Sequence, residues 1–107
     1  MASDQTIAGL EQRFPEGSFT RGVVTHHVSF GFFVDLGTPE ADGLVRIIDV
    51  KDEGPVTKDD YPPIGSEIEL FVWGVTAYPT RPQVILSIKP SLMHGAVGPA
   101  AVGRRQS

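Results

Sequence analysis

The sequence contains no cysteine among its 107 residues. Without thiols, disulfide bonds, thiolate-ligated zinc and cysteine nucleophiles are excluded. The chain also lacks any apolar run approaching the ~20 residues that a membrane-spanning helix needs, and its first residues lack the basic-then-apolar pattern of a secretion signal. We therefore expect a cytoplasmic protein that does not associate with a membrane.

Positive charge is scarce as well. The chain has 9 Lys and Arg against 13 Asp and Glu, for a net charge of −4. Proteins that bind nucleic acid usually carry a basic excess, because neutralising phosphates supplies much of their affinity. Any nucleic-acid site in this chain must therefore be local, and we expect its affinity to be modest.

Motifs of catalysis and metal binding are also missing. There is no Gly-rich phosphate loop, nucleophile elbow or His-Glu-x-x-His sequence. His26 and His27 are adjacent, so in a strand they point to opposite faces and cannot both ligate one metal ion. We predict that the chain is not an enzyme and that it has no cofactor, no metal and no small-molecule substrate.

A strand pattern dominates the middle of the sequence. Within the second of five candidate strands, Phe32, Val34 and Leu36 alternate with more exposed positions, so these three side chains are expected to point inward. Five short strands separated by turn residues indicate a small closed barrel, which also removes exposed sheet edges. The five candidate strands are residues 18–29, 30–36, 43–48, 66–77 and 83–89, with a polar loop at 49–63.

The two ends differ from this middle region. In residues 1–16, the apolar residues Ile7, Leu10 and Phe14 recur at helical spacing before Pro15, so this extension is either a frayed tail or a helix that covers part of the barrel. Residues 92–107 are rich in Gly and Ala, bury little and are expected to be a flexible tail. The folded domain is predicted at 17–91.

Several stretches of this domain, taken together, resemble the S1 RNA-binding domain family. They occur in the family's order and at nearly its spacing: GVV at 22–24, FGFFVDLG at 30–37, GLVRI at 43–47, IGSEI at 64–68 and LSIK at 86–89. The resemblance implies an all-β, five-stranded OB-fold barrel that binds single-stranded RNA across one face.

Phe30 and Phe33 are the central candidates on that face. Strict alternation would put them on opposite sides, but the glycine at 31 permits a bulge that could expose both rings. Two exposed rings would form a stacking platform, on which each base contributes ~1–3 kcal/mol. The alternative is that both rings lie in the core.

The polar candidates depart from the family pattern. Arg46 stands where the family often has histidine, and it either contacts RNA or pairs with Asp35 or Asp49. Arg81 lies two residues before the family's basic position, and His26 is a candidate at the rim of the face. Because the family's aspartate position holds Thr76 here, we expect weak, sequence-tolerant binding.

Phe71 and Trp73 share the outward side of the fourth candidate strand. Such an apolar pair marks a contact surface. It could be covered by the N-terminal helix, by Leu92 and Met93, or by another protein.

We therefore predict single-stranded RNA binding by an accessory factor in translation or RNA processing, with the ribosome or an RNA-processing protein as a possible partner. The alternative is a protein-interaction module on the same scaffold with little or no RNA affinity.

Overall fold

The computed structural model describes residues 4–77 and 81–93. Five strands form a closed barrel in the order β1-β2-β3-β5-β4, and two short helices flank them. The elements are α1 (Asp4–Arg13), β1 (Phe19–Val28), β2 (Gly31–Asp35), β3 (Asp42–Arg46), β4 (Glu67–Thr76), β5 (Gln83–Ser87) and α2 (Pro90–Met93). The predicted all-β OB-type barrel is confirmed.

Barrel closure depends on the length of β1 and on one parallel pair. The first half of β1, from Phe19 to Val23, pairs with β4, and its second half pairs with β2. β2 pairs antiparallel with β3. β5 pairs parallel with β3 on one side and antiparallel with β4 on the other, which closes the barrel. The outer surface of β2 and β3 is thereby left as one continuous face.

The barrel interior is filled by the side chains that alternation placed there. Phe32 and Val34 of β2 are buried, and Leu36 packs against the same core. β4 contributes Leu70 and Val72, which are fully buried. The inward positions predicted from period-two alternation are therefore occupied as expected.

The N-terminal extension forms a helix that belongs to the core. Leu10 and Phe14 are buried in the same cluster as the barrel side chains. Arg13 fixes the end of α1 to the β2–β3 connection, because its guanidinium donates hydrogen bonds to Thr38 and Glu40 at 2.9 and 2.8 Å. Of the two alternatives for this segment, the structure shows the helix.

Several element boundaries differ from the sequence prediction by one or two residues. β2 begins at Gly31, so Phe30 lies in the preceding turn, and β3 ends at Arg46, where a 3-10 turn (Ile47–Asp49) follows. At the C-terminal end, Leu92 and Met93 belong to α2. The rest of the predicted flexible tail, from residue 94, lies outside the described residues, as do residues 78–80. Within 4–77 and 81–93, neither helix has the length and apolar character to cross a bilayer.

Two carboxylates accept hydrogen bonds that anchor the long loop between β3 and β4. Hydrogen bonds from Ser91 lower the pKa of Asp52 below its ordinary value of 3.8. The backbone N–H of Thr57, together with Lys51, lowers the pKa of Asp60 in the same way. Both contacts favour the charged carboxylate.

These two contacts give an expected pH response. The pKa of each carboxyl is lower in the folded protein than in the unfolded chain. Its contribution to the free energy of unfolding is therefore present at a pH above the unfolded pKa, and it is lost as the pH falls through the folded pKa. A side-chain carboxyl NMR titration should therefore give midpoints below 3.8 for Asp52 and Asp60. A midpoint at or above 3.8 for either residue would contradict the hydrogen bonds described.

Candidate nucleic-acid interface

Phe30 and Phe33 lie together on the outer surface of the barrel. Val28 pairs with Gly31 across the β1–β2 hairpin, so Ser29 and Phe30 form its two-residue turn. Phe30 is 52% exposed, and Phe33 is half-buried. Their ring centroids are 6.1 Å apart with an interplanar angle of 89°. The two rings therefore form one aromatic pair on the outer surface, in which Phe30 is exposed and Phe33 is half-buried.

Gly31 explains how the chain enters β2 after Phe30. Its φ is +148°, a backbone conformation that side-chain-bearing residues rarely adopt, and a Cβ here would lie 2.0 Å from the carbonyl oxygen of Val45. The predicted bulge at Gly31 is wrong, because the β2–β3 register runs from Gly31 to Val34 without a shift. A hairpin turn followed by a positive φ exposes Phe30 instead.

The structure instead has a bulge in the opposing strand, β1, and this bulge determines which way the His26 side chain points. The β1–β2 register shifts between Val24 and His26, so Thr25 is the extra residue. Because one added residue reverses the alternation that follows, His26 points outward opposite Phe33, while His27 turns toward the ring of Phe32. His26 therefore lies at the edge of the aromatic pair.

Two grooves meet at Phe33, and we call them together the stacking face. They bring the five predicted site residues onto one surface. The first groove, of about 550 Å³, is lined by Thr25, His26, Val28, Phe33, Val34, Asp35, Thr38, Ala41, Asp42 and Arg81. The second, of about 500 Å³, is lined by Phe30, Phe33, Leu44, Arg46, Ile47, Ile48 and Gln83. Both volumes fall within the range of ligand-binding pockets.

Arg81 reaches the first groove from the segment before β5. Its Nε donates to Asp42 at 3.1 Å, and its Nη2 donates to the carbonyl of Pro39 at 2.7 Å. These contacts hold the guanidinium at the wall of the groove, with its side chain about half exposed. Arg81 is thus an anchored, partly neutralised cation.

Arg46 is also paired. Its Nε donates to the Oδ2 atom of Asp49 at 2.9 Å, while 43% of the Arg46 side chain stays exposed. Asp49 is 2% exposed, and its Oδ1 atom accepts a hydrogen bond from the indole Nε1 of Trp73 at 2.8 Å. Of the partners considered from sequence, Asp49 is the one the structure shows.

The charge on the stacking face is therefore small. The two arginines are offset by Asp42 and Asp49, and Asp35 adds a further carboxylate to the first groove. Among the residues that the structure describes, no group of three or more His, Asp or Glu side chains could hold a metal ion. The face offers aromatic and apolar area with local cations, which suits stacking better than electrostatic capture.

Sequence reasoning missed several parts of this surface. Leu44, Ile48 and Gln83 line the second groove, yet none was among the predicted site residues. The hydrogen bond between Trp73 and Asp49 was also missed, because it joins residues from separate elements. The sequence offered one indication of this contact. The indole N–H of a buried tryptophan usually forms a hydrogen bond, so a polar partner of Trp73 could have been expected.

A closed five-stranded barrel with this strand order and an open aromatic face defines an OB-fold binding domain. The chain belongs to the S1 RNA-binding domain family, whose sequence model matches residues 13–89.

Curated and solved relatives agree with this placement. The chain is 34% identical over 86 residues to small ribosomal subunit protein bS1 of Chlamydia trachomatis, a match that covers 80% of this chain and 15% of the ribosomal protein. The solution structure of GSP13 from Bacillus subtilis is 28% identical with a TM-score of 0.63, covering 88% of this chain and 65% of GSP13.

A third relative shows the fold alone. The alpha subunit of aIF2 from Pyrococcus abyssi is 24% identical with a TM-score of 0.58, covering 70% of this chain and 28% of the subunit.

The chain spans only a small part of the length of the ribosomal protein that it matches, and about two thirds of the length of GSP13.

Proposed function

We propose that this chain binds single-stranded RNA on the stacking face, with nucleobases stacked on Phe30 and Phe33. The observation that carries the proposal is the pair of rings on the outer surface, with centroids 6.1 Å apart, where the chain enters β2 through a positive φ at Gly31. Stacking on aromatic rings accepts any base, because every base has a π-face. Membership of the S1 RNA-binding domain family supports RNA as the ligand.

The polar residues of the face have secondary roles in this proposal. Arg46 and Arg81 contact phosphates or base edges, and His26 contributes a hydrogen-bonding ring at the rim. Each arginine is already paired with a carboxylate, so little net charge is available to attract phosphates. Binding is therefore weak and tolerant of sequence.

The likeness to a small ribosomal subunit protein supports a place in translation. We infer an accessory, non-catalytic role on the ribosome or with an RNA-processing assembly in the cytoplasm. A protein-interaction module is the second candidate, favoured by the net charge of −4 and by the outward ring of Trp73.

A salt titration of RNA binding tests the proposal. With about two phosphates contacted, the logarithm of the association constant should fall with the logarithm of salt concentration at a slope of about −1 to −2. Arg46→Gln and Arg81→Gln should each make that slope shallower. Fluorescence anisotropy of a labelled oligonucleotide measures both quantities.

Arg21→Gln is the matched control, since Arg21 is an exposed arginine of β1 that pairs with Glu67 and lines neither groove. It should leave the slope unchanged. No binding at about 50 µM protein in low salt, within the ~1–100 µM range of even non-specific binding, would favour the interaction module.

A further inference from the structure

Trp73 is the single tryptophan of the chain, and it lies at a bulge on the outer side of β4. The β4–β5 register shifts between Val72 and Gly74, which makes Trp73 the extra residue. The ring contacts Phe71 edge-on, with centroids 5.1 Å apart, and 37% of the residue is exposed. A large aromatic side chain is thus held at the surface by a local irregularity of the strand.

Asp49 connects this ring to the stacking face. One carboxylate oxygen accepts from the indole Nε1 of Trp73, and the other accepts from Nε of Arg46. Because both donors share one carboxylate, the indole and the guanidinium are neighbours. Arg46 and Leu44 line the second groove. Leu44 pairs with Ile85 of β5, and Ile85 pairs with Gly74, the residue after Trp73.

The outer side of β4 is open at the residue after Trp73. Gly74 follows it, and a Cβ built on Gly74 would meet no atom within 4 Å. The only polar atom of the indole is already satisfied by Asp49, so the exposed part of the ring is apolar. Such a surface contacts a ligand by stacking, and a nucleobase has the flat face that stacking requires.

We propose that Trp73 is an additional stacking position for the same single-stranded RNA, which takes a base beyond those on Phe30 and Phe33. This inference rests on the proposed function and extends its site from β2 and β3 onto β4. Arg46 lies between the two stacking positions, and Asp49 fixes both Arg46 and Trp73.

The test compares a short and a long RNA. An oligonucleotide of about three nucleotides fills only the Phe30 and Phe33 positions, whereas one of about ten falls within the ~4–16 nucleotides that OB folds cover. The long RNA should quench the intrinsic fluorescence of Trp73, and the short RNA should not. Because the chain has one tryptophan, the signal reports this position alone.

Two variants separate stacking from structure. Trp73→Leu should weaken binding of the long RNA by about 5- to 150-fold, the equivalent of one lost base stack. Trp73→Phe, which keeps a ring, should retain most of that affinity. The short RNA should bind both variants as it binds the unchanged protein, which also shows that the barrel is intact.

The failures are distinguishable. If the long RNA binds and Phe33→Ala weakens it, but Trp73→Leu has no effect and the fluorescence is unchanged, this inference is overturned and the proposed function stands. If neither RNA binds, the proposed function fails and this inference fails with it, leaving Trp73 as part of a protein-contact surface.

Discussion

Replacement of Phe33 by alanine is expected to lower the affinity for single-stranded RNA by about 5- to 150-fold, because one base stack contributes ~1–3 kcal/mol. Phe33 is the residue at which the two grooves meet, and its ring supports the exposed ring of Phe30. Its loss therefore removes one stacking ring and the edge support of the other. Anisotropy titrations of the two proteins measure the difference.

Ile64→Ala is the control for this experiment. Ile64 is a large exposed apolar residue, but it lines neither groove of the stacking face. Its removal should leave RNA affinity unchanged. Equal affinities of the Phe33→Ala variant and the unchanged protein, both folded, would contradict a stacking role for the face.

Gly31→Ala is expected to destabilise the fold by about 2–6 kcal/mol, from backbone strain and overpacking together. The added Cβ would lie 2.0 Å from a backbone oxygen of Val45, and the φ of +148° is strained for alanine. Strain of this kind costs about 1–3 kcal/mol, and overpacking costs a similar amount. Because small domains are stable by only ~5–15 kcal/mol, the melting temperature should fall by more than about 10 °C.

Gly9→Ala gives the matched control. Gly9 lies in α1, a Cβ built there meets no atom within 4 Å, and its φ is not in the positive region. Alanine in a helix is favoured over glycine by about 0.5–1 kcal/mol, so this variant should be as stable as the unchanged protein or slightly more so. A Gly31→Ala variant that melts at the same temperature as Gly9→Ala would refute the strained entry into β2.

Much of the fold was predictable because it follows from period-two alternation and turn residues. Phe32 and Val34 alternate in an uninterrupted β2, so their burial could be derived from the sequence. The five strand positions were predicted to within a few residues for the same reason. The spacing of Ile7, Leu10 and Phe14 indicated the N-terminal helix as one of two alternatives, and the structure shows that helix.

The parts that sequence did not predict depend on irregularities and on long-range contacts. The bulge at Thr25 reverses the orientation of His26 and His27, yet no glycine or proline marks it. The exposure of Phe30 was predicted for the wrong reason, since it arises from a turn and from Gly31. Asp49 was a possible partner of Arg46 from the sequence, but its hydrogen bond to Trp73 joins residues 24 positions apart and could not be derived from local spacing.

An amide-shift map with a single-stranded oligonucleotide tests the central claim most directly. If bases stack on the rings of Phe30 and Phe33, the largest shifts should fall in β2, in β3 as far as Arg46, and at His26, all on one side of the barrel. Shifts confined to the acidic loop between β3 and β4, or no shifts at saturating RNA, would contradict it.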